Sequence, residues 1–193
     1  MTKNPFKLVV RDKKIKKVRP AFTIEQQESI LNHIKSKDYN FYKLILFYLA
    51  TGCRRSEALQ IEQSDFDNNV LHIKGTKTDK SDRYILITND LKELIFNNNN
   101  KIFDYRKDFV TDKFRDYLSE LKISGTLHCL RHSYATNQYY IGTPAKEVQM
   151  NMGHSDVTIT LDIYTNIDIK QNKKEILEKI KALYNDYYIE LKN

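Results

Sequence analysis

Two short runs of this chain alternate with a period of two, while its other apolar residues recur at helical spacing, and that contrast restricts the fold most. Val70, His72 and Lys74 alternate with Leu71 and Ile73, and Tyr84, Leu86 and Thr88 alternate with Ile85 and Ile87. A strand with one buried face has this period. The segment between the runs, KGTKTDKSDR, is polar and charged, so the runs read as adjacent strands of one small antiparallel sheet. Around them the pattern is helical. Thr23 with Gln26 three positions on forms a capping box, so a helix begins near Thr23 and carries Ile30, Leu31 and Ile34. Phe41, Leu44, Ile45, Tyr48 and Leu49 mark a second, more buried helix. A third, opened by Ser56 and Glu57, carries Ala58, Leu59 and Ile61. Residues 65–69 read as a turn cluster and 97–100 as a loop tip. Further helices are expected over about 111–121, 130–140, 144–150 and 158–164, with Pro144 in a first turn. The fold class predicted is α+β, a mainly helical domain with one small antiparallel sheet.

A length of 193 residues fits one domain with one sizeable core. The boundaries follow from charge and pattern. Eight Lys or Arg fall in the first twenty residues, so 1–22 reads as an exposed basic linker, 23–172 as the domain, and 173–193 as a C-terminal amphipathic helix. In that tail Ile176, Leu177, Ile180, Leu183, Tyr184, Tyr187 and Tyr188 share one stripe, which something apolar must cover. No apolar run approaches the ~20 residues of a membrane span, and the N-terminus lacks the pattern of a signal peptide, so a cytoplasmic protein without a membrane partner is expected. Cys53 and Cys129 are too few for a disulfide scaffold and read as buried small hydrophobes. A net charge of +7 points to a polyanionic partner.

Four segments carry chemistry. In HCLRHSYAT, His128, Arg131 and His132 fall together directly before an apolar helical pattern, and cationic groups at a helix N-terminus make an anion site. In TGCRRSEAL, Arg54 sits at a tight turn between two helices. Its guanidinium can bind two nonbridging phosphate oxygens in a planar fork, and Arg54 with Arg131 could supply two such forks. Taken alone, Arg54 or Arg55 reads as an ordinary ion-pairing residue, with Glu57 as partner. In GHSDVTITLDIYT, Tyr164 follows His154 after a turn and a short helix. A phenol of pKa ~10 attacks only a phosphate whose charge is already neutralised. Lys77, in the connection between the strands, can reach across a groove and act as a general acid, with Lys74, Lys80 and Arg83 expected on DNA backbone; without the other segments all four read as a solvated charged loop.

The order Arg, Lys, HxxRH, GH, Tyr resembles the tyrosine recombinases, the phage integrase family. TGCRRSE resembles that family's first arginine box, TKT its lysine turn, LHCLRHSYAT its second box and MGHSDVTITLDIYT its closing box, across about 23–165. The resemblance implies that Arg54, Lys77, His128, Arg131 and His154 activate a DNA phosphate and that Tyr164 attacks it, giving a 3′-phosphotyrosine and a free 5′ hydroxyl. It implies His128 as proton acceptor, Lys77 as acid, His154 as hydrogen-bond donor to the phosphate, and Glu57 and His132 as supporting residues. Cys53 and Met152 stand where leucine is commoner in the family, both at packing positions. No metal, ATP or other cofactor is implied. The implied partners are double-stranded DNA and further recombinase protomers, four in the assembly of a full-length protein. The family's N-terminal DNA-clamping domain is expected to be missing, the chain starting at the linker that follows it. Two other readings stand beside this one: a type IB topoisomerase, against which the GHS-to-Tyr spacing argues, and a DNA-binding module without catalysis, against which the full set of site residues argues.

Overall fold

The computed structural model of the chain describes residues 20–75, 82–97, 99–153, 160–161 and 173–184. The elements run α1 (Ile24–Lys37), α2 (Tyr39–Thr51), α3 (Arg55–Ala58), a 3-10 turn (Gln63–Asp65), β1 (Phe66–Asp67), β2 (Val70–Ile73), β3 (Arg83–Leu86), α4 (Asn89–Ile95), α5 (Lys107–Glu120), α6 (Leu127–Ile141), α7 (Ala145–Met152) and α8 (Lys173–Tyr184). This is a mainly helical α+β architecture with one antiparallel sheet, as the two periodicities predict.

The capping box at Thr23 is formed in both directions: Gln26 N–H donates to Thr23 Oγ1 at 3.3 Å and Thr23 N–H to Gln26 Oε1 at 3.0 Å. Asp38 ends α1 and begins α2, its carboxylate accepting from Phe41 N–H at 2.9 Å. Nine of the thirteen residues of α2 are buried, so it is apolar all round and lies inside the domain, against α1, α3, α4 and α6. It stops at Gly52, whose φ of 64° is left-handed. A Cβ there would lie 2.4 Å from Tyr134 Cδ1, so glycine serves both the turn and the close approach of α6.

The sheet has the order β1-β2-β3. Leu71, Ile73 and Ile85 point inward and are buried, while His72 and Tyr84, paired across the strands, stack outside with ring centroids 4.5 Å apart. Asp82, just before β3, accepts from His72 Nε2 at 2.7 Å and from Gly75 N–H at 3.4 Å.

Several boundaries differ from the sequence expectations. The turn cluster at 65–69 contains a two-residue strand, with Phe66 opposite Leu71 and the chain reversing through Asn68 at φ 51°; two residues are too few to display a period. Thr88, read as a strand residue, instead caps an unforeseen helix, accepting from Leu91 N–H at 3.2 Å. The third helix is a single turn, and α5 and α6 start four and three residues before their expected positions. The helix expected over 158–164 lies outside the described residues, apart from Thr160 and Leu161.

Candidate active site

Helix α7 packs against both β3 and α6, and this brings its C-terminal end over the start of α3. It ends at Gly153 in the left-handed conformation, φ 65°. A helix end leaves carbonyls without intrahelical donors, and here three consecutive carbonyls each receive an arginine. Arg83 Nε donates to Asn151 O at 2.6 Å, Arg131 Nη2 to Met152 O at 2.6 Å and Arg54 Nη2 to Gly153 O at 2.8 Å. Arg131 Nη1 also donates to the carbonyl of Gly52 at 2.5 Å, so one guanidinium ties together the left-handed ends of α2 and α7. Cations at a helix C-terminus also meet the favourable end of its dipole.

Glu57 lies beneath the cluster, its side chain fully buried. Its carboxylate accepts from Arg54 N–H at 2.7 Å, Arg54 Nη1 at 2.6 Å, Arg83 Nη1 at 3.2 Å and Arg83 Nη2 at 3.0 Å. Burial alone would push its pKa up, but the hydrogen bonds and charge of Arg83 and the hydrogen bonds of Arg54 outweigh that and hold it below its ordinary value. For Arg131 the balance is opposite. Burial first, then the nearby charge of Arg54, pull its pKa down to about 9, against the pull of Glu57, and the group still carries its charge at neutral pH. Three guanidiniums and one carboxylate give this cluster a net charge of +2. Holding that excess in a partly desolvated place is costly, and an anion with two acceptor edges relieves the cost. Arg54, with about a third of its side chain exposed, is the member that faces solvent.

His128 stands exposed in the first turn of α6, and His132 one turn further in, half-buried, with ring centroids 4.7 Å apart and planes perpendicular. The helix therefore begins ahead of the HxxRH segment, which occupies its first turn and a half. Among the described residues no group of three or more His, Cys, Asp or Glu is placed to hold a metal ion.

Of the residues singled out in the sequence, Arg54 and Glu57 meet directly, Arg131 is anchored beside them on the carbonyls of Gly52 and Met152, and His128 and His132 lie on the helix that carries Arg131. Lys77, Lys80, His154 and Tyr164 lie outside the described residues. Lys74 is exposed and forms an ion pair with Asp65 at 2.6 Å. Arg83 is the correction. Expected on the surface against DNA backbone, it is 8% exposed and faces the interior, because the first residue of β3 shares the inward face with Ile85. That phase was available in the sequence: residues 83, 85 and 87 alternate with Tyr84, Leu86 and Thr88. Arg55, beside Arg54, turns away and donates to the carbonyl of Lys107 and to Thr111.

The site thus belongs to a mainly helical domain that concentrates arginines around helix ends, with histidines alongside. The chain belongs to the phage integrase family, whose model matches residues 21–171. Among its relatives is tyrosine recombinase XerA of Saccharolobus solfataricus, 28% identical over 182 residues, which cover 90% of this chain and 60% of the relative. The chain thus spans about three fifths of that protein's length. Among solved structures, XerA recombinase superposes with a TM-score of 0.66 at 21% identity, covering 90% of this chain and 66% of that one. A lambda integrase tetramer bound to a Holliday junction gives 0.68 at 17% identity, covering 80% and 51%.

Proposed function

We propose that this chain is the catalytic portion of a site-specific DNA recombinase that cleaves and rejoins DNA strands through a 3′-phosphotyrosyl intermediate on Tyr164. The reading is carried by the paired anchoring of Arg54 and Arg131, whose guanidiniums are fixed by the carbonyls of Gly52, Met152 and Gly153. Preorganised charge of this kind stabilises a phosphoryl-transfer transition state without reorganisation at the moment of reaction. The family membership supports the same reading.

In the proposed reaction the Tyr164 hydroxyl oxygen attacks the scissile phosphorus. The P–Oη bond forms as the P–O5′ bond breaks, so the bond energy stays in the protein–DNA ester. His128 takes the phenolic proton, Lys77 supplies one to the departing 5′ oxygen, and His154 donates to a nonbridging oxygen; Glu57 and His132 support the arginines and histidine. A 5′ hydroxyl from another strand attacks in reverse and releases Tyr164, with no external energy source. Lys74 and Lys80 contact backbone phosphate, which fixes position more than sequence. The partners are double-stranded DNA and further protomers, as in the DNA-bound lambda integrase tetramer, and the protein works in the cytoplasm.

The test is covalent capture. A randomised pool of duplexes, each nicked near its centre, lets the short 5′-hydroxyl fragment diffuse away and traps the ester. The unsubstituted chain should form a protein–DNA adduct, and Tyr164→Phe should form none while binding DNA noncovalently as before. An adduct that persists in Tyr164→Phe would move the nucleophile to another tyrosine, and no adduct with either chain would overturn the proposal. Products joined to a different strand separate recombination from the relaxation that a type IB topoisomerase performs.

A further inference from the structure

We propose that Arg83 is a positioning residue for strand cleavage: acting through Glu57, it sets the direction in which Arg54 presents its guanidinium to the phosphate. This rests on the function proposed above. Arg83 is too buried to touch DNA, with 7% of its side chain exposed, so its role must lie inside the domain. Its two Nη atoms meet the two oxygens of Glu57, Nη1 to Oε1 at 3.2 Å and Nη2 to Oε2 at 3.0 Å. The same two oxygens hold Arg54, Oε1 through Nη1 at 2.6 Å and Oε2 through the backbone N–H at 2.7 Å. The carboxylate is therefore fixed from behind by one arginine and steers the other in front. With Arg83 removed it could rotate about its last bond, and Arg54 would turn with it.

Two further contacts fix Arg83 itself. Its Nε donates to Asn151 O, and its guanidinium lies so close beneath Gly153 that a Cβ on that glycine would stand 2.9 Å from Nη1. Gly153 O is in turn an acceptor of Arg54, so Arg83 supports both anchors of Arg54, the carboxylate and the helix end. Stability does not account for an arginine at this place. Buried ion pairs contribute little net stability compared with apolar residues of the same volume, and Arg83 occupies an inward position of β3 that otherwise takes isoleucine. The planar fork matters here; a lysine keeps the charge but reaches the carboxylate through one nitrogen.

The experiment compares the unsubstituted chain with Arg83→Lys, and with Arg83→Gln as a second variant, under single-turnover conditions on a nicked duplex recovered from the covalent pool. Urea unfolding identifies which variant is folded and used. Misplacing a catalytic group by about 1 Å costs roughly 100-fold, so adduct formation should slow by about that factor while noncovalent DNA affinity is unchanged. The same measurement is then made with a methylphosphonate at the scissile position. That group is neutral and asks less of the Arg54 charge, so the penalty of the Arg83 variant should shrink towards one. A penalty of equal size on both substrates, full-rate cleavage by the variant on the phosphate, or a parallel loss of DNA binding overturns the inference while leaving the proposed function standing. Failure of the unsubstituted chain to form any adduct overturns the function, and the inference with it.

Discussion

Glu57 accepts hydrogen bonds from two arginines in a place from which solvent is excluded, and this gives the site a definite response to pH. Its folded pKa lies below the ordinary 4.5. A carboxylate depressed on folding contributes stability that is complete above its unfolded pKa and is lost as pH falls through the folded value. Glu57→Gln leaves two arginines without their buried counter-charge, a change that typically costs about 3–5 kcal/mol. The stability gap between the two chains, measured by urea unfolding, should be full at pH 7 and narrow below pH 4.5. A gap that stays constant down the acid range would mean that the ionised carboxylate is not what the arginines require. Arg131 draws its fixed geometry from the backbone: among the described residues both of its hydrogen-bond partners are carbonyls at helix ends, which no side-chain rotation can withdraw.

At the scale of elements, helix ends organise the molecule. α2 and α7 both stop in left-handed glycines, and the carbonyls exposed there become acceptors for the arginines. α8 is held differently. Its Ile180 and Tyr184 are buried against α1 and α6, and Tyr184 donates to Gln27 Oε1 at 2.7 Å. Gln27 in turn exchanges hydrogen bonds with Asn137 of α6, at 2.9 and 3.3 Å, and donates to the carbonyl of Phe22 at 2.9 Å. One buried amide pair thus joins three helices, with an ion pair from Lys179 to Glu25 at 2.8 Å on the rim. Tyr184→Phe removes one donor but leaves Gln27 Oε1 its bond from Asn137. The expected loss is about 0.5–1.5 kcal/mol, read as a lower urea midpoint with unchanged slope. A midpoint equal to that of the unsubstituted chain would show that the Tyr184 hydroxyl contributes nothing to the docking of α8.

For the whole molecule, the described part of the amphipathic tail, α8, finds its apolar cover on its own chain. The described part of the stripe is met by α1 and α6, with Ile176 and Leu183 half-buried beside Ile180 and Tyr184. Deleting residues 173–193 uncovers that seat together with the Gln27–Asn137 pair. The shortened chain should unfold at lower urea and with a smaller slope, since the slope follows the surface exposed on unfolding. Equal midpoints and slopes for the two chains would show that α8 adds nothing to the cooperative unit. The same seat is what a tail from a neighbouring protomer would have to occupy in an exchanged assembly, so its occupation in cis sets the free energy that any exchange must overcome.

What the sequence determined by itself was local and chemical: two periods, the capping box at Thr23, and the order of arginine, histidine and tyrosine segments that marks the family. Each depends on residues near one another in the chain, where spacing translates directly into a shared face. The tertiary structure decided what distant residues do to one another. Arg54 meets Gly153 across 99 positions, Arg131 meets Gly52 across 79, and Tyr184 meets Gln27 across 157. No local pattern encodes such pairs, because they exist only once α7 has packed on β3 and α8 on α1. Arg83 shows the boundary between the two. Its inward phase was written beside Ile85 and Ile87, but its charge and its place in a basic segment suggested a surface group. What reversed that reading was the buried carboxylate of Glu57, 26 residues away, which supplies the counter-charge without which a guanidinium would not be held in the interior.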